Sequence, residues 1–131
     1  EHCGVVKNKK SLLIGLQKVK DIKKSLKDVD VRINENTCED LSLVLDLQSS
    51  LTSAEATILS ALKRKESRGA HKRSDYPKIN LDNNCNFTIS LNNQTDELKV
   101  SSNKINPLRA DLEHAVRQNK KEITIKNKLL E

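Results

Sequence analysis

A chain of 131 residues is long enough for one domain with a small appendage. With 35% apolar residues, one Phe, one Tyr and no Trp or Met, it cannot bury a large core by itself. Its net charge of +6, from 24 bases and 18 acids, makes a mixed surface that favours acidic partners and is weak support for nucleic acid. No window approaches the ~18 apolar residues of a membrane span, and the first residues lack a signal-peptide apolar run, so no transmembrane helix is expected. A start at Glu1 suggests a piece of something longer. Cys3, Cys38 and Cys85 are far apart, odd in number and never in a C-x-x-C pair. That spacing argues against zinc and against a disulfide framework, and reads as free thiols in a reducing compartment. The sequons at Asn86 and Asn93 are read as chance matches in an Asn-rich stretch.

In 9-KKSLLIGLQKVKDIKKSLKDV-29, Leu12, Leu16, Val19, Ile22, Leu26 and Val29 recur at spacings of three and four. They predict an amphipathic helix over 9–29 whose Lys-rich faces are solvated. After a polar break, Thr37 is a good N-cap with Asp40 three residues on. No Pro or Gly interrupts from there to Arg68, which predicts one helix over 38–68, about 45 Å long. Residues 37–62 hold four acids and no base, whereas 63–73 hold six bases and one acid, the order that a helix dipole favours. Gly69 fits the C′ position that ends the helix. The connection between the two helices is short enough to make them antiparallel neighbours.

The basic strip itself, 63-KRKESRGAHKRSDYP-77, exceeds what helix capping needs. A nucleic-acid patch, an anion site and a docking surface for another domain would each place Arg, His, Asp and Tyr together. Pro77 pushes the end of the strip toward extended geometry. Further on, 86-NFTISL-91 and 97-ELKVSS-102 alternate apolar and polar residues around a polar turn, which predicts a β-hairpin that must pack on the helices or on a partner. Asn106 and Pro107, as N-cap and first helical position, predict a short helix with Leu108, Leu112, Ala115 and Val116 on one side. The tail 122–131 reads as a short strand or as disordered. The fold class is therefore mainly α: a three-helix-bundle-like (spectrin-repeat-like) domain over 1–80, a hairpin appendage over 81–102, and a C-terminal helix and tail over 103–131.

The stretch 66-ESRGAHKRSDYP-77 carries Glu-Ser-Arg-Gly-Ala-His-x-Arg-x-Asp-(Tyr/Phe)-Pro complete. It resembles the C-terminal helical domain of the succinate dehydrogenase and fumarate reductase flavoprotein family, which includes L-aspartate oxidase. The Gly-Val-Val-Lys at 4–7, the long second helix and the following hairpin support the resemblance over residues 1–102.

The resemblance implies an oxidoreductase that passes a hydride between a dicarboxylate and FAD, with electrons going on to an iron–sulfur subunit or, in aspartate oxidase, to oxygen or fumarate. FAD would belong to the full-length enzyme, in flavin-binding and capping domains of the same chain. This fragment has no G-x-G-x-x-G loop, and no catalytic, cofactor-binding or metal residue is assigned in it. The resemblance assigns Glu66, Arg68, His71, Arg73, Asp75 and Tyr76 to interdomain docking, and implies a cytoplasmic location, peripheral on the inner face of a membrane through partner subunits. With the partner domain missing, Arg68, His71 and Arg73 are expected to be exposed or loosely paired. Two other functions stay open: the C-terminal domain of L-aspartate oxidase, and an independent basic helical adaptor for an acidic partner.

Overall fold

The computed structural model describes residues 2–31, 38–81 and 84–128, with side chains through residue 119. Strand β1 (Val6–Lys7) leads into helix α1 (Lys9–Ser25), which closes with a 3-10 turn at Leu26–Asp28. Asn8 caps α1 by accepting from Ser11 N at 2.9 Å, while Ser11 Oγ accepts from Asn8 N at 3.1 Å. This reciprocal cap is what starts the helix at Lys9, and the N-x-x-S at 8–11 is its sequence signature.

Helix α2 (Glu39–Lys63) runs antiparallel to α1. Leu12 near the start of α1 meets Ile58 and Ala61 near the end of α2, and Cys3, Leu16, Val19 and Leu62 pack around them. Lys23 near the end of α1 reaches back to Glu55 at 2.7 Å. Gly15 is buried where the chain's first residues cross α1: a Cβ there would come within 2.9 Å of His2 Cβ and 3.6 Å of Ile58 Cδ1. The predicted antiparallel pair is present, and its core is small, as the composition requires.

The predicted end of α2 is not where the structure puts it. The helix stops at Lys63, five residues before Arg68, and Arg64 adopts an extended C-cap conformation. Gly69 has φ +55°, but in a turn beyond the helix rather than at its C′ position. The Thr37 cap lies outside the described residues; Cys38 holds the N-cap position of α2.

Strand β2 (Lys72–Arg73) pairs in parallel with β1, Val6 opposite Lys72 and Lys7 opposite Arg73. Strands β3 (Cys85–Asn92) and β4 (Glu97–Lys104) form the predicted antiparallel hairpin, with Phe87, Ile89, Leu98 and Val100 half-buried. It packs on α2, as an otherwise marginal hairpin must. Helix α3 spans Ala110–Lys128. It corrects two expectations: Asn106 and Pro107 precede the helix rather than open it, and residues 122–128 are helical rather than strand or disordered. The ladder continues past β4 through Ile105 N to Asn84 O at 3.2 Å, so 106–109 serve to leave the sheet. Residues 110–119 of α3 are exposed.

Candidate functional site

The chain after α2 folds into two consecutive turns. In the first, Arg68 and His71 exchange backbone hydrogen bonds at 2.9 and 3.0 Å around Gly69 and Ala70. A positive φ at Gly69 with none at Ala70 is the type II′ pattern, which favours glycine at the first central position. In the second, Tyr76 N donates to Arg73 O at 3.1 Å. Ser67 ties the two together: its Oγ accepts from Arg73 N at 2.9 Å and donates to Tyr76 O at 2.8 Å.

Glu66 is 0% exposed and is the node of the first turn. Its Oε1 accepts from Arg64 Nη1 at 2.6 Å, and its Oε2 accepts from Arg68 Nε and Nη2 at 3.2 Å and from Asn80 N at 3.0 Å. Burial acts to raise the Glu66 carboxyl pKa, but these donors outweigh it and hold the group below the usual carboxylate range. Arg64 also donates to Cys85 O at 3.0 Å and lies 4.7 Å from the Phe87 ring centroid, so the same side chain anchors the hairpin.

Arg73 is 1% exposed. It makes a two-pronged pair with Asp75, Nε to Oδ1 and Nη2 to Oδ2, both at 2.7 Å. Its Nη1 reaches Ala61 O at 2.6 Å and Arg64 O at 3.3 Å, carbonyls that the end of α2 leaves without helical partners. Asp75 Oδ2 in turn accepts from Lys9 N at 2.9 Å, at the N-terminus of α1. The Arg73 guanidinium, first of all, and the Lys9 amide hold the Asp75 carboxyl far below its ordinary range. Tyr76 places its ring 5.0 Å from the Arg73 guanidinium. His71 is half-buried, with Nε2 3.4 Å from Arg64 O. Burial, with Lys7, Arg73 and Arg64 adding like charge, lowers its pKa.

The structure therefore brings all six predicted residues into one unit but corrects their expected state. Arg73 is neither exposed nor loosely paired, and Glu66 is enclosed. Arg68 retains 42% side-chain exposure, yet it is paired with Glu66 and donates to Asn80 O at 3.3 Å. The physical reason is that both carboxylates needed to neutralise the arginines lie in the same short motif. Sequence reading missed Arg64, taken for a helix-dipole residue, and Ser67, whose hydroxyl is indistinguishable in sequence from a surface one. Beyond the unit, Tyr76, Pro77, Ile79 and Leu81 line an open groove of about 600 Å³ with Lys65 and Asp75. Ile79 is 56% and Leu81 82% exposed. Among the described residues, no group of three His, Cys, Asp or Glu could hold a metal ion.

Residues 1–126 match the family described as "Fumarate reductase flavoprotein C-term". The chain is 36% identical over 92 residues to the succinate dehydrogenase flavoprotein subunit of Rickettsia conorii, covering 68% of this chain and 15% of that one. It is 45% identical over 76 residues to the L-aspartate oxidase of Pyrococcus horikoshii, covering 58% of this chain and 12% of that one. In fold it resembles Mycobacterium smegmatis Sdh1 in complex with UQ1, with a TM-score of 0.76 at 23% identity, over 91% of this chain and 20% of that one. The motif, the β1–β2 tie, the helix pair, the hairpin and a match over nearly the whole chain converge: this chain belongs to the fumarate reductase flavoprotein C-terminal family.

Proposed function

We propose that this chain is the non-catalytic C-terminal domain of an FAD-dependent dicarboxylate oxidoreductase of the succinate dehydrogenase and fumarate reductase kind, and that it packs against the flavin-binding domain. The observation that carries this reading is the division of labour around the motif. Glu66, Arg73 and Asp75 bond inward and set a rigid platform, while Ile79 and Leu81 are left in water beside it. An exposed apolar edge held on a rigid base is what a docking surface needs. The chain's glycines stand at 4, 15 and 69 and make no dinucleotide loop, so the residues present do not fit FAD and no chemical step is assigned to them. In the whole protein, electrons would pass between the dicarboxylate, the flavin and an iron–sulfur subunit. No helix among the described residues is long and apolar enough to cross a membrane, which fits peripheral attachment through partner subunits.

The 45% identity to an L-aspartate oxidase supports a second reading in which the same domain serves that enzyme. The independent-adaptor reading loses its motive, because Arg64, Arg68 and Arg73 each have a carboxylate partner within the chain. The test is Ile79→Asp with Leu81→Asp. The isolated chain should melt as before, because both side chains are already in water. The flavoprotein carrying this chain at its C-terminal end should release FAD at lower temperature. Unchanged FAD release would overturn the docking proposal.

A further inference from the structure

Three charged residues are buried among those described: Glu66, Arg73 and Lys7. The first two have opposite charges against them; Lys7 does not. Its Nζ donates to Val5 O at 3.1 Å, and among the described residues no carboxylate reaches it. Yet Lys7 is only 8% exposed. It lines an opening of about 350 Å³ with Cys3, Thr57, Ser60, Arg64 and His71, between β1, the last turns of α2 and the motif. The nearby acids are committed elsewhere: Glu66 to Arg64 and Arg68, Asp75 to Arg73 and the Lys9 amide. An ammonium buried without a counter-ion is costly, and a cationic recess with no anion of its own is complementary to one brought from outside.

We propose that this opening receives a carboxylate, and that the carboxylate is an acidic side chain of the flavin-binding part of the longer protein. This rests on the docking reading above and names the charged contact within it. The donor set decides the source. The Thr57 and Ser60 hydroxyls already donate to Ser53 O at 2.8 Å and Ala56 O at 3.0 Å. With Arg64 held by Glu66 and Cys85 O, and His71 Nε2 spent on Arg64 O, the free N–H groups of the Lys7 ammonium are too few to extract a free small anion from water. They suffice for a side chain whose translational freedom is already lost through docking.

The experiment is Lys7→Met, with Lys7→Arg as its charge-retaining control. In the isolated chain, Lys7→Met should melt at the same or a higher temperature, because it removes an uncompensated buried charge and Val5 O keeps the Lys72 amide at 3.3 Å. In the whole flavoprotein it should lower the FAD-release temperature, and Lys7→Arg should restore most of the loss. Equal destabilisation of both proteins would mean that Lys7 serves this domain's own fold, and would overturn the proposal. If Lys7→Met leaves FAD release unchanged while the Ile79 and Leu81 variants lower it, docking stands and the carboxylate contact falls. If neither changes it, both fall. Acetate titrated into the isolated chain should give no saturable shift of the His71 imidazole NMR signals. A shift that saturates at millimolar acetate and disappears in Lys7→Met would assign the opening to a free carboxylate instead.

Discussion

Asp75 Oδ2 lies 2.9 Å from Lys9 N, so one carboxylate holds Arg73 with both oxygens and also the first turn of a helix 66 residues earlier in the chain. Asp75 is an anion at the positive end of α1 and a counter-ion to an enclosed guanidinium at once. The end of α2, the motif and the start of α1 therefore share one hydrogen-bonded junction, with Arg73 at its centre.

Removing Arg73 should be the most damaging single change in the motif. Arg73→Ala takes the two charge-assisted bonds from Asp75 and leaves the Ala61 carbonyl without its donor, a loss of about 3 kcal/mol. Arg73→Lys recovers only part of this, because an ammonium cannot bond Asp75 with two prongs and reach Ala61 O as well. Arg68→Ala takes two bonds from the enclosed Glu66 but leaves it Arg64 and the Asn80 amide, and should cost less, about 1–2 kcal/mol. Urea unfolding of the three variants checks the order; an Arg68 variant as damaged as the Arg73 one would contradict it.

Gly69 should be replaceable by size but not by conformation. Nothing lies within 4 Å of a Cβ built there, so the cost of Gly69→Ala is that of φ +55° for a side-chain-bearing residue, about 1–2 kcal/mol. Gly69→Asn should lose less than Gly69→Ala, because Asn tolerates that region better. Denaturation midpoints in which alanine matches glycine would mean that the turn relaxes out of the left-handed region.

Stability should fall in two stages as pH drops. His71 has a lowered pKa in the folded state, so the unfolded chain binds its proton first, and stability is lost as pH falls below the ordinary histidine value of about 6.5. Asp75 and Glu66 are also lowered, so their contribution is complete above the ordinary carboxylate range of about 4 and is lost below it. Melting curves from pH 8 to pH 3 check this. His71→Asn should remove the upper stage and leave the lower one; a melting temperature that rises on acidification would contradict the assignment.

Leu12 is fully enclosed between the helices, and Leu12→Ala should cost about 2–5 kcal/mol. In a core as small as that of Leu12, Ile58 and Ala61, this is a large part of what the domain has. A loss below about 1 kcal/mol in chemical denaturation would show that the neighbouring side chains collapse into the space.

What could be read from the sequence was what local periodicity records. The three-and-four spacing of Leu12, Leu16 and Val19 gave α1, and the alternation of Phe87, Ile89 and Leu91 gave the hairpin. The end of α2 was illegible because the group that terminates it is Arg73, which takes the Ala61 and Arg64 carbonyls from ten residues or so further along. Gly69 looked like a helix terminator because its chemistry, a positive φ, is the same in a helix cap and in a turn. The six site residues were legible as a group through the motif, whereas their inward pairing depends on a fold that brings Ala61, Lys9 and Asn80 to meet them. Lys7 stood in the sequence only as part of a strand-like Gly-Val-Val-Lys; its burial without a counter-ion is visible only once β1 lies beside β2.

The pairing of β1 with β2 also sets an order on folding during synthesis. Val6 and Lys7 leave the ribosome more than sixty residues ahead of their ladder partners Lys72 and Arg73. Until these emerge, β1 has no edge to join and α1 lacks the Asp75 carboxylate at its first turn. The long loop closure must be made before the contacts that reward it, which places this tie among the slow, late events of folding. A nascent chain arrested before Arg73 has cleared the exit tunnel would carry its helices without their shared junction, and its first strand would be open to other edges.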